Sequence, residues 1–429
     1  MAEFMLDDQM RGFPPGRAPV PASRIAGLGL RPWDGAMALP LISLDLEAFD
    51  GNAAAMLGYA RARGAAVAPH AKTPMSPALA RRLVDAGAWG ASVADLRQAS
   101  VLLRAGLGPL ILANEIGGRA AALRLAAAVA GHGDADLYVF ADAPALVEAL
   151  AAAWAGRDDL PRLGILPELG LARGGARSVA AAAAVAEAAQ AAATGRLRLA
   201  GAAAYEGSAA TADPAESLAR IDRLMAMVGE LFARVRTLAG PEPPLLITAG
   251  GSIWFDRVTD ALAPLAAADG RATLVLRSGA IFFHDHGIYE RSMADLDRRS
   301  GFAGPGGPAS AAAAFRPSLR VWAEVLSRPE SGVAVCGLGM RDVAMDQGLP
   351  RPLARYRDGR RLGGMEGVSV ARLNDQHGFL DLPAGLSLEV GDVVEFGISH
   401  PCTCLDRHRV VYGLDPEGTV TTAFPTCFG

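Results

Sequence analysis

Two short stretches hold the residues best suited to chemistry, and they lie far apart in a chain of 429 residues. VAPHAKTP, Val67 to Pro74, is a brief apolar run followed by Lys72, whose amine could add to an aldehyde as a Schiff base. GISHPCTCLD, Gly397 to Asp406, offers an imidazole and a thiol at His400 and Cys402. If that segment is extended, residues i and i+2 project to one face, so both reach one ion, with Cys404 a possible third ligand. Imidazole and thiolate suit zinc, and a site with open positions would let the metal polarise a substrate oxygen.

A phosphorylated aldehyde needs a cradle as well as an amine. ITAGGS, Ile247 to Ser252, presents Thr248, Gly250, Gly251 and Ser252; the glycines permit close backbone approach, and their N–H groups with the Ser252 hydroxyl could bind a phosphate. LRSGAIF, Leu276 to Phe282, adds the Gly279 N–H. LPELGLARGG, Leu166 to Gly175, places Glu168, Gly170 and Arg173, where an arginine would tune a pyridoxal ring. Tyr205, in AAAYEGS, could pack on such a ring, and His377, in LNDQHG, is a candidate substrate contact. The set points to pyridoxal 5'-phosphate on Lys72 and zinc on His400 and Cys402.

Each residue also has a plainer reading: a surface lysine, a solvated arginine, a structural tyrosine, a buried cysteine beside a satisfied histidine. What favours a site is company, because the two glycine turns fall at the loops after strands seven and eight, where barrels often bind phosphate. His284, Asp285 and His286 form a second potential metal cluster, but two preceding aromatics make that stretch a barrel–domain junction.

The elements that would position these residues follow from periodicity. Residues 1–38 are rich in Pro, Gly and Arg and read as a mobile arm or a loosely packed extension. From residue 39, short apolar runs alternate with helical patterns. The strands expected are Ala66–Pro69, Gly90–Val93, Leu110–Ala113, Leu137–Ala141, Leu163–Leu166, Leu199–Ala204, Leu245–Thr248 and Thr273–Leu276. Helices are expected over Pro77–Ala86, Ala94–Ala105 and Glu216–Ala239. The alternation fits a (β/α)₈ barrel over residues 39–285, although a doubly wound sheet would alternate too. Residues 286–429 read as a mainly β domain, entered by a linker or excursion from Tyr289 to Ser310.

Composition narrows the class. Apolar residues make up 51% and charged residues 20%, as in an ordinary soluble globular protein. A net charge of −4 leaves no polybasic footprint for nucleic acid or an anionic membrane. Four cysteines in so long a chain do not make a disulfide framework, so a reducing cytoplasm is expected. The start, MAEFMLDDQMRG, lacks the apolar segment of a secretory signal, and the Ala-rich run from Ser178 reads as a surface-packed helix rather than a membrane span.

PHAKT, the E-x-G-x-x-R-x-G pattern from Glu168 to Gly175, AGGS, RSG and SHPCT together resemble the fold-type III pyridoxal phosphate enzymes, and within them the D-serine dehydratase and D-threonine aldolase branch. CGLGMRDVAMDQGLP, Cys336 to Pro350, is similar to bacterial D-amino-acid deaminase-like members. The resemblance implies an alanine-racemase-like barrel followed by a β domain that part of residues 1–38 joins, the cofactor linked to Lys72, and a dimer in which one subunit's β domain closes the other's site. It implies zinc, or manganese in its place, on His400 and Cys402; a cysteine there favours dehydratase or deaminase over aldolase, which usually has an aspartate. The implied substrate is a D-3-hydroxy amino acid that loses its β-hydroxyl to give a 2-oxo acid and ammonia. Retro-aldol cleavage to glycine and an aldehyde is the alternative, followed by a racemase with Tyr356 or Tyr412 as second base, or a non-catalytic cofactor carrier. Ala68 and Ile281 depart from the pattern, where many relatives have Arg and Tyr.

Overall fold

The short apolar runs become a ring of parallel strands. The computed structural model describes residues 3–304 and 307–428. The ring comprises Ala65–Val67, Ala91–Val93, Leu110–Leu112, Asp136–Ala141, Arg162–Leu169, Gly201–Ala204, Leu245–Thr248 and Ala272–Leu276, paired side by side around the barrel. The first and second strands are joined by Trp89 N–H to the Val67 carbonyl at 2.8 Å and Ser92 N–H to the Pro69 carbonyl at 2.9 Å. The sixth strand is broken at Ala200, and its first half, Leu197–Leu199, pairs only with the fifth. Gly201 takes the left-handed region there (φ 147°), a conformation that L side chains rarely adopt.

Strand alternation then builds the site. Ala68, Ala113, Leu166, Ala203, Leu246 and Val275 pack together inside the barrel. Two residues further along each strand come His70, Glu115, Glu168, Tyr205, Thr248 and Arg277, which the period of two turns toward the same interior at its C-terminal mouth. Ala68 thus lies in the apolar filling below the mouth, and Ile281 is fully buried in the main core; neither lines the cavity described below.

The surrounding helices start where local chemistry lets them. Ser178 caps Val179–Ala191 by accepting the Ala181 N–H at 3.2 Å, and Asp213 caps Pro214–Ala239 through the N–H groups of Ala215 and Glu216. No helix among the described residues is long and apolar enough to cross a membrane.

Three expectations need correction. The described part of the first segment, residues 3–38, is not a loose arm: Leu6, Phe13, Ile25 and Leu30 are buried in a second core with Trp322, Tyr356 and Tyr412. Burial of large apolar side chains outweighs the loop-like Pro/Gly composition. The barrel does not begin at residue 39, because Leu41–Asp45 pairs antiparallel with Leu319–Trp322 and parallel with Tyr412–Leu414, in a ten-stranded sheet formed otherwise by the C-terminal part of the chain. The stretch after Tyr289 opens as helix Ile288–Arg299, not as a linker. Tyr289, Ser292, Met293 and Leu296 are buried at helical spacing, and Asp285 Oδ1 accepts the N–H groups of Gly287 and Tyr289 at 2.7 and 2.9 Å. The many charges on its outer face hid the periodicity.

His408 ties the first segment to the sheet. Its Nε2 lies 2.9 Å from the Asp342 carbonyl, and the Asp342 carboxylate is ion-paired with Arg11. Burial, opposed by the Asp342 hydrogen bond and joined by repulsion from Arg11 and Arg407, lowers its pKa to about 4. The unfolded imidazole titrates near 6.5, so between those values only the unfolded chain binds the proton. The stability held above pH 6.5 should therefore be lost as pH falls toward 4, by on the order of 3 kcal/mol from this residue. Thermal unfolding across pH 4–8 should show a shallower acid slope in His408→Gln than in the wild type; equal slopes would refute this.

Candidate active site

A cavity of about 360 Å³ opens at the C-terminal mouth of the barrel. Lys72, Arg173, Tyr205, Gly250, Gly251, Ser252, Gly279, His400 and Cys402 all line it, so the two remote motifs meet in one chamber. Lys72 is the only lysine of the chain, alone among 41 Lys and Arg residues. No other side chain of this protein can present a primary amine.

Two candidates stand elsewhere. Thr248 lies fully buried beneath the chamber; its hydroxyl donates to the Val275 carbonyl at 2.8 Å and accepts from Arg277 Nη1 at 2.7 Å. His377 sits in the exposed turn of a hairpin and does not line the cavity. Tyr356 and Tyr412 are also remote, donating to Glu395 at 3.1 Å and to the Arg11 carbonyl at 2.9 Å.

The floor is charged. Arg277, 5% exposed, donates to Thr248 and to the Ala204 carbonyl and lies 5.1 Å over the Phe140 ring. Burial lowers its pKa, while Glu206 and Glu168 pull it back up. Burial, aided by Glu115, pushes Glu168 up to about 9, so that carboxyl is neutral at pH 7. His70 is also neutral: burial and the nearby Lys72, Arg277 and Arg173 hold its pKa far below the usual value. The Arg173 guanidinium lies 4.7 Å over the Tyr205 ring. Burial, with Glu206 adding to it, pushes Tyr205 up to about 12; burial also raises Tyr289, so both phenols stay protonated.

The phosphate cradle differs from expectation in one respect. The N–H groups of Gly250 and Gly251 do not face the chamber unpaired; they donate to the Glu206 carboxylate at 2.9 and 2.6 Å. A buried carboxylate one residue beyond Tyr205 takes donors that a free glycine turn would leave open. Three other residues that line the chamber, Ser252, Ile253 and Ala280, have backbone N–H groups with no partner among the described residues. Ser252 Oγ accepts from Gly279 N at 3.1 Å and Ile281 N at 3.3 Å, which leaves its own proton to donate, to an anion or to the neighbouring Tyr289 hydroxyl. A Cβ on Gly279 would come within 2.7 Å of the His70 carbonyl oxygen, so only glycine lets these loops close up. A phosphate-bearing ring fits this donor set, and the single amine lines the same chamber.

On the metal side, the segment is not extended: Pro401–Leu405 is one helical turn, entered at His400. The turn carries Cys404 away from the chamber, fully buried with its thiol toward the Asp342 carbonyl, so the expected third ligand is absent. His400 and Cys402 remain together. No group of three or more His, Cys, Asp or Glu at metal-binding geometry exists among the described residues, and the cluster at His284 to His286 is none. His400 Nδ1 is 2.6 Å from Asp346 Oδ2, whose other oxygen accepts from Thr403 at 2.8 Å. That pairing fixes the ring and leaves Nε2 for a ligand. Cys402 Sγ lies 3.2 Å from the Thr73 hydroxyl, on the Lys72 loop. A nitrogen and a sulfur with open positions suit a catalytic zinc rather than a structural one.

Sequence reasoning missed Arg277, Glu206, Tyr289 and Asp346. Arg277, Glu206 and Asp346 stood inside quoted motifs, and the two-residue step from Val275 would have turned Arg277 inward. Asp346 and Tyr289 reach the site only through tertiary packing.

Comparison with known proteins agrees with this layout. An alanine racemase N-terminal domain model matches residues 44–245, and a model described as "Putative serine dehydratase domain" matches residues 318–414. A D-threonine aldolase from an Arthrobacter species is 26% identical over 376 residues, 86% of this chain and 87% of the relative. The crystal structure of D-threonine aldolase from Filomicrobium marinum superposes with a TM-score of 0.70 at 25% identity, covering 91% of this chain and 95% of that one. D-threo-3-hydroxyaspartate dehydratase from Delftia sp. HT23 shares the fold, with a TM-score of 0.68 at 21% identity over 91% and 97% of the two chains.

Proposed function

We propose that this chain, which belongs to the fold-type III pyridoxal phosphate enzymes of the D-serine dehydratase and D-threonine aldolase-like branch, is a lyase that removes the β-hydroxyl of a D-3-hydroxy amino acid. The observation that carries the reading is the meeting, in one chamber, of the only lysine with the His400–Cys402 pair. Pyridoxal phosphate supplies an electron sink for the pair left at Cα, and zinc supplies a Lewis acid at the β-oxygen.

The residues then divide the work. Lys72 Nζ would anchor the cofactor, and as the only amine lining the chamber it is the group that would take the Cα proton. Ser252, with the open N–H groups of Ile253 and Ala280, holds the phosphate against the two glycine turns. Arg277 sets a fixed positive charge in the chamber floor, and Arg173 stacked on Tyr205 walls one side. His400 and Cys402 would hold the metal, which would assist departure of the β-hydroxyl, and Asp346 fixes the His400 ring.

Elimination is preferred over retro-aldol cleavage because the ligand pair is histidine and cysteine. In the structures related to the Delftia dehydratase, variants replace a histidine and a cysteine at this same spacing, and the cysteine variant is described as metal-free. The aldolase reading keeps a place because the relatives at 25 and 26% identity are D-threonine aldolases. Incubation with D- and L-3-hydroxy amino acids separates the two. Ammonia with a 2-oxo acid, from D-isomers, is the expected outcome; glycine with an aldehyde would instead establish cleavage.

The reading extends to a homodimer, which the exposed apolar face beside the site supports. Met340, Met345 and Leu349 are 39, 47 and 37% exposed around Asp346, and the His377 hairpin is bonded to that segment through Met340 N and Arg341 N. This face suits a homodimer in which His377 enters the partner's chamber. A monomer in sedimentation equilibrium would rule that out.

A further inference from the structure

We propose that Glu206 is a positioning residue for the cofactor phosphate: its carboxylate clamps the glycine turn so that the adjoining loop presents its donors. The inference rests on the pyridoxal phosphate reading and assigns a role to a side chain which that reading does not use. Glu206 is 1% exposed, and each of its oxygens accepts one N–H of the turn, Gly250 on Oε2 and Gly251 on Oε1. Gly250 is left-handed (φ 91°), and a Cβ there would come within 2.7 Å of Leu276 Cδ2, so the turn must be glycine. Two successive glycines are the most entropically costly residues to hold still, and nothing in their own side chains can do it.

What the clamp holds is a ladder of bonds between the loops after strands seven and eight. Arg277 N donates to the Gly250 carbonyl at 2.8 Å, and Ser278 Oγ to the Gly251 carbonyl at 2.6 Å. Gly279 N and Ile281 N donate to Ser252 Oγ. With the glycine donors and carbonyls all engaged, the hydroxyl proton of Ser252 and the N–H groups of Ser252, Ile253 and Ala280 are what remains for an anion. The buried carboxylate is itself compensated by the two N–H groups and by the neighbouring buried Arg277.

A carboxylate near an anion site could act in the opposite sense, as a charge that repels phosphate. The sign of one substitution decides between them. In full-length enzyme stripped of cofactor and titrated with pyridoxal phosphate, Glu206→Gln keeps one acceptor and turns an NH₂ toward the other N–H. Its dissociation constant should rise on the order of tenfold or more, the loss of one charge-assisted hydrogen bond. Pyridoxal without phosphate should bind both proteins alike, because the clamp acts only on the phosphate loops. A constant that is unchanged or lower, or equal weakening for both ligands, would overturn the proposal. Should Glu206→Gln fail to fold, Glu206→Asp keeps the charge facing Arg277 but shortens the reach; a several-fold weaker pyridoxal phosphate affinity is expected, and wild-type affinity would overturn the proposal. A wild-type protein that binds no pyridoxal phosphate would sink the cofactor reading and this role with it, whereas wild-type binding with an indifferent Glu206→Gln sinks this role alone.

Discussion

Alanine in place of Lys72 should reduce turnover by at least about a thousandfold and abolish the cofactor's visible absorbance band. The size of the effect follows from there being no substitute: Lys72 is the only lysine in a chain that otherwise meets its need for positive charge with arginine. Among the described residues arginine serves every ion pair except that of His400 with Asp346, and a guanidinium matches carboxylates better than an ammonium does. It cannot lose its proton at neutral pH, so it can neither add to an aldehyde nor accept the Cα proton. The one position where the chain keeps an amine is the one that opens on the chamber. Lys72→Arg should therefore fail as completely as Lys72→Ala, although it keeps the charge. Borohydride reduction of the wild type should place the cofactor's mass on the peptide containing Lys72. Full turnover in Lys72→Ala, with the band retained, would refute the proposed mechanism.

That single lysine is also the clearest case of information present in the sequence and not used. The motif PHAKT singles out Lys72 by resemblance, whereas the residue count alone leaves no rival amine. The barrel was legible because buried parallel strands are short apolar runs between helical patterns, as in Leu110–Leu112 and Leu245–Thr248. The positions at the barrel mouth followed from the same runs by alternation. The strand Leu41–Asp45 was read into the barrel because its sequence carries no mark of which sheet it joins; its partners, Leu319–Trp322 and Tyr412–Leu414, lie hundreds of residues away. The helix bearing Tyr289 was hidden by its charged outer face. Cys404 was counted as a ligand on the premise of an extended segment, and a single helical turn after His400 removed it. Glu206 and Asp346 were overlooked for a common reason. Each is assigned its role through another residue that it contacts, and no local pattern encodes such contacts.

Removal of the metal should separate the two halves of the site. His400→Ala, or exhaustive chelation of the wild type, should lower ammonia release by at least about a hundredfold and leave the absorbance band in place, since the cradle's hydrogen bonds run between Ser252, Gly279 and Ile281 whereas that of His400 runs to Asp346. The same treatment in Lys72→Ala should change nothing further, because a leaving group needs no assistance when no Cα proton is taken. Asp346→Asn is the graded version. It keeps a side chain of the same shape beside His400 Nδ1 but exchanges a charged acceptor for a neutral amide, and an outer partner of this kind is typically worth about 10- to 100-fold in metal affinity. Added zinc should then restore Asp346→Asn and leave His400→Ala inactive. Rigorously metal-free enzyme that turns over at the wild-type rate would remove the metal from the mechanism altogether, and the His400–Asp346 pair would then be a structural contact at the rim of the chamber.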